Sequence, residues 1–158
     1  MRKLGTAIAV LGQTALGLAA PATSAQAAAQ GPGCEGKWAA YGRDGNVRAW
    51  QHPDCGGVLL GQSQGNDSHW GDTTGGFGYS AYYDASSVMN NGTTGGLDVV
   101  AFYVSPGHLG GYTCLSPYEL YADNLTDNRF TDGTVVDNRI GSHRWVTASA
   151  CAPGSWLT

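Results

Sequence analysis

Short apolar runs alternate with glycine-rich turns along most of this chain. Residues 47–50 alternate apolar and polar side chains, as a half-buried strand does, and residues 97–104 form the most strand-like run. Residues 37–41 are expected to form the first strand, and the Asp44-Gly45 pair after it is a hairpin signal. The pattern predicts an all-β domain without a helix of usual length. The 25 glycines fit the many tight turns that such a domain needs.

The first 27 residues have the pattern of a secretory signal peptide. Arg2 and Lys3 form a short basic start, residues 4–20 are apolar or small, and an Ala-x-Ala site ends at Ala27. A membrane anchor is the alternative, but Gly and Thr dilute the apolar run and a cleavage site follows it. We therefore expect a secreted, extracellular protein without membrane contact after cleavage, with a flexible lead-in over residues 28–37.

The exported chain is acidic and fits one small domain of about 130 residues. Without Arg2 and Lys3 it has six basic against twelve acidic residues, a net charge of −6. It contains no cluster of Lys and Arg, so we do not expect it to bind nucleic acid or anionic membranes. An acidic surface is compatible with calcium or a basic partner, and equally with a role in solubility alone.

Two pairs of segments recur at nearly one spacing, which indicates an internal duplication. Gly57 matches Gly111, 54 positions later, and Ser87 matches Ser142, 55 positions later. The segments that recur are residues 49–57 with 102–111 and residues 82–90 with 136–145.

These repeats resemble the Greek-key motif of βγ-crystallins. The shared features are an aromatic strand, a turn that ends in Gly-Gly, a return strand, and an Asn/Asp-rich segment that closes in a serine turn. The chain is also similar to the secreted actinobacterial peptidase inhibitors of family I36, whose founding member inhibits metalloproteinases. The segments that carry the resemblance are residues 50–57, 84–88 and 137–145. It implies a βγ-crystallin-like domain over residues 38–152, with motif one over about 38–92 and motif two over about 97–152.

Four cysteines remain in the exported chain, and an even count in a secreted domain predicts two disulfides. Three pairings are possible. The pairing with one bond inside each half of the repeat is favoured, Cys34 with Cys55 and Cys114 with Cys151. A zinc site is the alternative, but no C-x-x-C or close Cys/His spacing supports it.

The resemblance also implies a calcium site, since βγ-crystallin sites use two Asn/Asp residues followed by a Ser/Thr-Ser pair. Asp137, Asn138 and Ser142 fit this pattern in the second motif, and Ser86 of the first motif could complete a hybrid site. Calcium prefers such oxygen ligands. The first motif has tyrosines where the acids should be, and Gly141 replaces a hydroxyl in the second. The alternative is that these residues only shape loops, as Asx and Ser side chains commonly do.

Catalysis is not expected. Residues 61–65 match the G-x-S-x-G nucleophile elbow, but a polar, glycine-rich segment follows in place of the helix that this motif requires. The histidines are expected at the surface or in turns. Among the tryptophans, the strand-like context of Trp38, Trp50 and Trp145 predicts core positions, and Trp70 is the candidate for an exposed contact.

The first hypothesis is therefore a secreted proteinase inhibitor that presents a rigid, disulfide-held loop to an extracellular protease. The resemblance implies a thermolysin-type metalloproteinase, and such enzymes favour an apolar residue just after the cleaved bond. Bonds before Val58 or Leu115 fit this preference, but the sequence does not locate the inhibitory loop. The alternatives are a calcium-binding or wall-associated βγ-crystallin module and a small secreted toxin-like protein. No cofactor is required, calcium is the one suggested, and the oligomeric state stays open.

Overall fold

Two antiparallel sheets make up this computed structural model, which describes residues 33–158. The all-β class is confirmed. The predicted signal peptide, residues 1–27, lies outside the described residues. The four-stranded sheet has the order β2-β1-β3-β6 and contains β1 (Val47–His52), β2 (Gly56–Ser63), β3 (Ser87–Asn90) and β6 (Tyr121–Ala122). The three-stranded sheet has the order β5-β4-β7 and contains β4 (Val99–Ser105), β5 (Leu109–Leu115) and β7 (Ser142–Val146).

Each half of the domain has a segment that pairs with a strand of the other half. β6 follows β5 in the chain but pairs with β3 of the first half. In return, Asp67 of the first half forms an isolated bridge with His143 of β7. This is the exchange of a pair of Greek keys, and it locks the sheets together. The limits of the two motifs stay predictions, and the chain continues to pack beyond residue 152, because Trp156 bridges Cys114 and Leu157 is buried.

The main core lies between the sheets and takes side chains from both of them. Val47 and Val88 come from the first sheet, and Val100 and Phe102 come from the second. Fully burying an aliphatic or aromatic side chain stabilises a fold by about 1.5–3 kcal/mol. Loop residues fill the remaining space, namely Trp70, Phe77, Leu125, Phe130, Val136 and Ile140.

The strand expected over residues 37–41 is wrong, since α1 (Cys34–Tyr41) is a two-turn helix. Trp38 and Tyr41 are three residues apart, which places them on one face of a helix. Trp38 packs against the cluster around Trp50, and the Arg48 guanidinium lies 3.9 Å from the Tyr41 ring centroid. Gly42, with φ of 57°, ends the helix. Among residues 33–158, no helix has the length and apolar content to cross a bilayer.

Two disulfides use all four cysteines in the favoured pairing, one in each half. Cys34 is bonded to Cys55, and Cys114 is bonded to Cys151. The first bond attaches α1 to the turn between β1 and β2. The second attaches the end of β5 to the C-terminal segment. Zinc coordination by these cysteines is thereby excluded.

Candidate functional site

The turn between β1 and β2 is held in an uncommon backbone conformation, and we call this turn with the first two residues of β2, residues 53–57, the first tip. Asp54 and Cys55 have φ of 56° and 53°, a region that non-glycine residues seldom adopt. Three contacts maintain it. Cys55 is bonded to Cys34, the Cys34 amide donates to the Asp54 carboxylate (3.0 Å), and the Asp54 amide donates to the Asp123 carbonyl (2.7 Å).

A buried serine closes each of the two main hairpins in the same way. The Ser87 hydroxyl donates to the His52 carbonyl (2.7 Å) and accepts from the Cys55 amide (3.0 Å). The Ser142 hydroxyl donates to the Ser105 carbonyl (2.6 Å) and accepts from the His108 amide (3.2 Å). The spacing between Ser87 and Ser142 thus corresponds to one repeated contact, and the Ser142 hydroxyl is engaged in its hairpin.

Apolar side chains are exposed directly after the first tip. β2 is an edge strand, and its residues Val58 and Leu59 are 61% and 39% exposed. Leu115, the other residue considered for the position after a cleaved bond, is fully buried at the end of β5. A protease can therefore reach the bond before Val58, whereas the bond before Leu115 lies inside the domain.

Three of the four residues of the predicted calcium site lie together in one clasp between the halves. The Asn138 amide donates to the Ala85 carbonyl (2.9 Å), next to Ser86. The Asp137 amide donates to Leu125 (3.1 Å), whose own amide donates to the Ser86 carbonyl (3.0 Å). Asn138 has a positive φ of 54°, which Asn tolerates better than most residues. We call residues 85–86 with 137–138 the second clasp.

The symmetry-related clasp has the same backbone and different side chains. The Tyr83 amide faces the Ile140 carbonyl (3.4 Å), and Tyr83 has φ of 59°. The rings of Tyr82 and Tyr83 stack with centroids 3.9 Å apart. A side chain at Gly141 would place its Cβ 2.9 Å from the Val104 carbonyl oxygen, so no hydroxyl fits there. This first clasp offers no carboxylate at the corresponding positions.

The second clasp has a carboxylate oxygen without a protein partner. Asp137 Oδ1 is buried and accepts no hydrogen bond from residues 33–158, while Oδ2 accepts from the Asn138 amide group (3.0 Å). An unsatisfied buried polar group costs about 1–3 kcal/mol. No group of three or more His, Cys, Asp or Glu side chains in the described part of the chain could hold a metal ion. A cation here would rely on Asp137 together with amide, hydroxyl and carbonyl oxygens, which are ligands that calcium accepts.

His143 and Trp70 correct two sequence predictions, because both are fully buried. Trp70 donates from Nε1 to His143 Nδ1 (2.8 Å), so His143 carries its proton on Nε2 and donates it to the Gly65 carbonyl (3.0 Å). Trp70 also stacks on Phe77 at 4.1 Å between ring centroids. Burial lowers the pKa of His143 to about 4. The imidazole therefore stays neutral and serves as a core hydrogen-bond bridge.

Asp67 is a second buried polar residue with a structural role. Its carboxylate accepts from the His69 amide (2.9 Å) and from the Phe77 amide (3.2 Å), so it shapes the loop that carries Trp70. Burial raises the pKa of this carboxyl group. The backbone of Asp67 pairs in both directions with that of His143. This backbone pair joins the loop around Asp67 to β7.

The G-x-S-x-G match lacks the geometry of a nucleophile elbow. Ser63 is the last residue of β2, and its hydroxyl exchanges hydrogen bonds with the backbone of Gly65. Turns and bends follow over residues 64–78, without a helix. His143, whose Nε2 donates to the same Gly65, is engaged at both ring nitrogens.

Sequence reasoning missed a cleft beside Trp145, which was predicted to be a core residue. The cleft has a volume of about 330 Å³, and Trp145 lines it and also packs against the main core. Nothing in the sequence marked this position, because the other lining residues are glycines, polar residues and Leu97, which come from distant parts of the chain. Trp50 is buried as predicted, and Trp38 is partly buried.

Comparisons with solved structures give βγ-crystallin domains. A βγ-crystallin from an archaeon has 20% identity and a TM-score of 0.44, covering 64% of this chain and 96% of that one. A protein described with the evolution of the eye lens βγ-crystallin domain fold has 19% identity and a TM-score of 0.46, covering 65% and 86%. A βγ-crystallin from Ciona intestinalis has 15% identity and a TM-score of 0.45, covering 64% and 99%.

No protein-family model and no curated protein matches the chain. The identities to the solved structures are low, so these likenesses concern the fold alone. The two exchanged antiparallel sheets and the two disulfides are consistent with a βγ-crystallin-like domain of two Greek-key motifs.

Proposed function

We propose that the protein is a secreted proteinase inhibitor, without enzymatic activity of its own, and that its inhibitory surface is the first tip together with Val58. The observation that carries this proposal is the position of Val58. It is an exposed apolar residue directly after the first tip and three residues after the disulfide-bonded Cys55. The likeness to inhibitors of family I36, on the segments named above, supports a metalloproteinase as the target.

A restrained tip favours tight binding and slow cleavage. The Cys34–Cys55 bond, the Asp54 contacts and the Ser87 hydroxyl fix this turn before any partner arrives. A preordered loop loses less conformational entropy on binding than a flexible one. If the bond before Val58 is cut, these contacts hold the end at Gly57 and the pairing of β2 with β1 holds the end at Val58, which favours religation over release.

Export is also part of this proposal. Disulfides persist in oxidising compartments and are rare in the cytosol. Both disulfides of the domain, and the sequence pattern of residues 1–27, support a protein that acts outside the cell.

The test is a titration of thermolysin activity with the oxidised chain, at constant calcium because the enzyme itself needs this ion. We expect stoichiometric inhibition that is lost when the disulfides are reduced, and slow cleavage between Gly57 and Val58 on prolonged incubation. Mass spectrometry of the complex locates the cut. No inhibition at about micromolar protein would exclude a thermolysin-type target.

A calcium-binding role is the second candidate, and the unpaired Asp137 Oδ1 supports it. A cation bound to the second clasp would satisfy this oxygen and join the two halves. Ligand at 100 times its Kd stabilises the native state by about 2.7 kcal/mol. We expect calcium to raise the melting temperature of the oxidised chain, and this shift to disappear in Asp137→Ala and persist in Asp123→Ala. Equal shifts in both variants would remove the second clasp as the site.

A further inference from the structure

The cleft beside Trp145 lies where the ends of both sheets meet. Trp145 belongs to β7, Gly92 follows β3, and Gln64 and Asn66 follow β2. The cleft volume of about 330 Å³ lies at the lower end of the range for small-molecule sites, roughly 300–1,000 Å³. It can hold one or two sugar rings.

The wall of the cleft is an aromatic ring held in a fixed position. A Cβ added to Gly92 would lie 2.5 Å from Cζ3 of Trp145, so only glycine permits the ring to pack there. The Trp145 amide donates to Asn66 Oδ1 (2.9 Å), which fixes the strand beside the cleft. Trp145 Nε1 is shielded and has no partner among residues 33–158.

The remaining walls are also ordered. The Gly65 carbonyl accepts from buried His143 Nε2 (3.0 Å). The Gln64 amide group donates to the Asp44 carbonyl (3.0 Å), and the Gly45 amide donates to the Asn91 carbonyl (2.9 Å). A ligand thus meets a preformed site, which lowers the entropy cost of binding.

Three polar side-chain groups at the cleft have no partner within residues 33–158. They are the Nδ2 group of Asn66, Oε1 of Gln64, and the hydroxyl of Thr93, which supply a donor, an acceptor and a group that is both. No lining residue is charged. A neutral lining with two apolar surfaces, Trp145 and the exposed Leu97, matches a ligand with an apolar ring face and several hydroxyl groups, and it offers no positive charge to an anion.

We propose that this cleft is a binding site for a neutral saccharide unit, with the apolar face of a sugar ring against Trp145 and its hydroxyl groups on Asn66, Gln64 and Thr93. The site is separate from the first tip. β1 pairs with β2 from Val47–Ser63 to His52–Gly56, so the cleft and the tip lie at opposite ends of this hairpin, about 17 Å apart. The saccharide site therefore does not depend on the proposed inhibition. It would hold the protein on a glycan surface while the tip stays free.

The test is calorimetric titration of the oxidised chain with three neutral probes, cellobiose, maltose and N,N′-diacetylchitobiose. We expect saturable binding of at least one probe. Asn66→Asp keeps the acceptor for the Trp145 amide and removes the free donor. Thr93→Val removes the exposed hydroxyl. Each should weaken binding about 3- to 10-fold, the effect of one lost hydrogen bond.

The control variant is Tyr118→Ala, which removes an exposed aromatic ring outside the cleft and should leave the Kd unchanged. Trp145→Phe should weaken binding further, and circular dichroism checks that it folds.

No saturation by any probe at about 10 mM would overturn the proposal. A Kd that is the same in Asn66→Asp, Thr93→Val and the parent chain would do so as well. Binding of the dipeptide Gly-Trp without binding of any sugar would assign the cleft to a peptide side chain instead.

Discussion

The two main hairpins share a backbone plan and differ in what holds their tips. Cys55 and His108 occupy matching positions, with φ of 53° and 60°, and each amide donates to the equivalent serine, Ser87 or Ser142. Gly57 therefore corresponds to Gly110, which shares its positive φ, and the predicted match with Gly111 is off by one residue. Cys55 is bonded covalently to α1, whereas the His108 ring hydrogen-bonds to the backbone carbonyl of His143 (3.0 Å). The duplicated fold therefore supplies two similar tips, and only the first is covalently attached to another element.

The clasps show the same divergence. The second clasp keeps Asp137 and Asn138, and the first has stacked Tyr82 and Tyr83 on an equivalent backbone. Because the backbone is the same, the difference in chemistry comes from side chains alone. We therefore expect residues with a specific function where the side chains of the two halves differ, and residues that stabilise the fold where their contacts are the same.

The largest difference between the halves should appear when each disulfide is removed. Cys34→Ala/Cys55→Ala removes a cross-link between residues 21 positions apart, and Cys114→Ala/Cys151→Ala removes one between residues 37 positions apart. The chain-entropy model gives losses of about 3 and 4 kcal/mol in the free energy of unfolding, measured by urea titration. Only the first pair should also abolish inhibition, at a temperature where both variants are folded. Equal loss of inhibition would contradict the assignment to the first tip.

The position after each hairpin serine gives the next contrast, Val88 in the first half and His143 in the second. The pKa of His143 is about 4 in the folded protein and near 6.5 in the unfolded chain. The unfolded state therefore binds a proton first as the pH falls, and stability is lost between pH 6.5 and 4. Urea titrations at several pH values should show a fall of about 3 kcal/mol across this window.

His143→Val should remove this pH dependence, although the variant is less stable because the Trp70 indole and the Gly65 carbonyl lose their partner. Asp67, whose pKa is raised by burial, acts in the opposite direction. His108, also close to His143, lowers its pKa further. An unchanged slope in His143→Val would show that another group titrates.

Substitution of either hairpin serine should lower the free energy of unfolding by a similar amount, because both hydroxyl groups make the same pair of hydrogen bonds. Ser87→Ala leaves the buried Cys55 amide without its acceptor, and Ser142→Ala does the same to the partly buried His108 amide, so each should cost about 1–3 kcal/mol of unfolding free energy. Ser80→Ala, at an exposed residue, is the control and should be neutral. A large effect in one hairpin and none in the other would mean that the two contacts are not equivalent.

Much of the fold could be predicted because it repeats. The serine spacing, the Gly-Gly turns and the even cysteine count all depend on local sequence, and the structure confirms the all-β class and both disulfides. Contacts between distant residues could not be predicted in this way. Trp70 is buried by Phe77 and His143, and His143 lies 73 positions away. A two-turn helix such as α1 is too short to show a clear period, so its aromatic residues favour a strand when only the sequence is considered.

The most direct test of the account compares one exposed apolar residue at each hairpin. Val58 and Leu109 are 61% and 64% exposed. Thermolysin inhibition should be measured with Val58→Ser, Leu109→Ser and the parent chain, all oxidised. We predict that Val58→Ser raises the inhibition constant at least about tenfold, since burying such a side chain contributes roughly 1.5–3 kcal/mol, and that Leu109→Ser leaves it unchanged. Equal inhibition by all three chains would contradict the assignment of the inhibitory surface to the first tip.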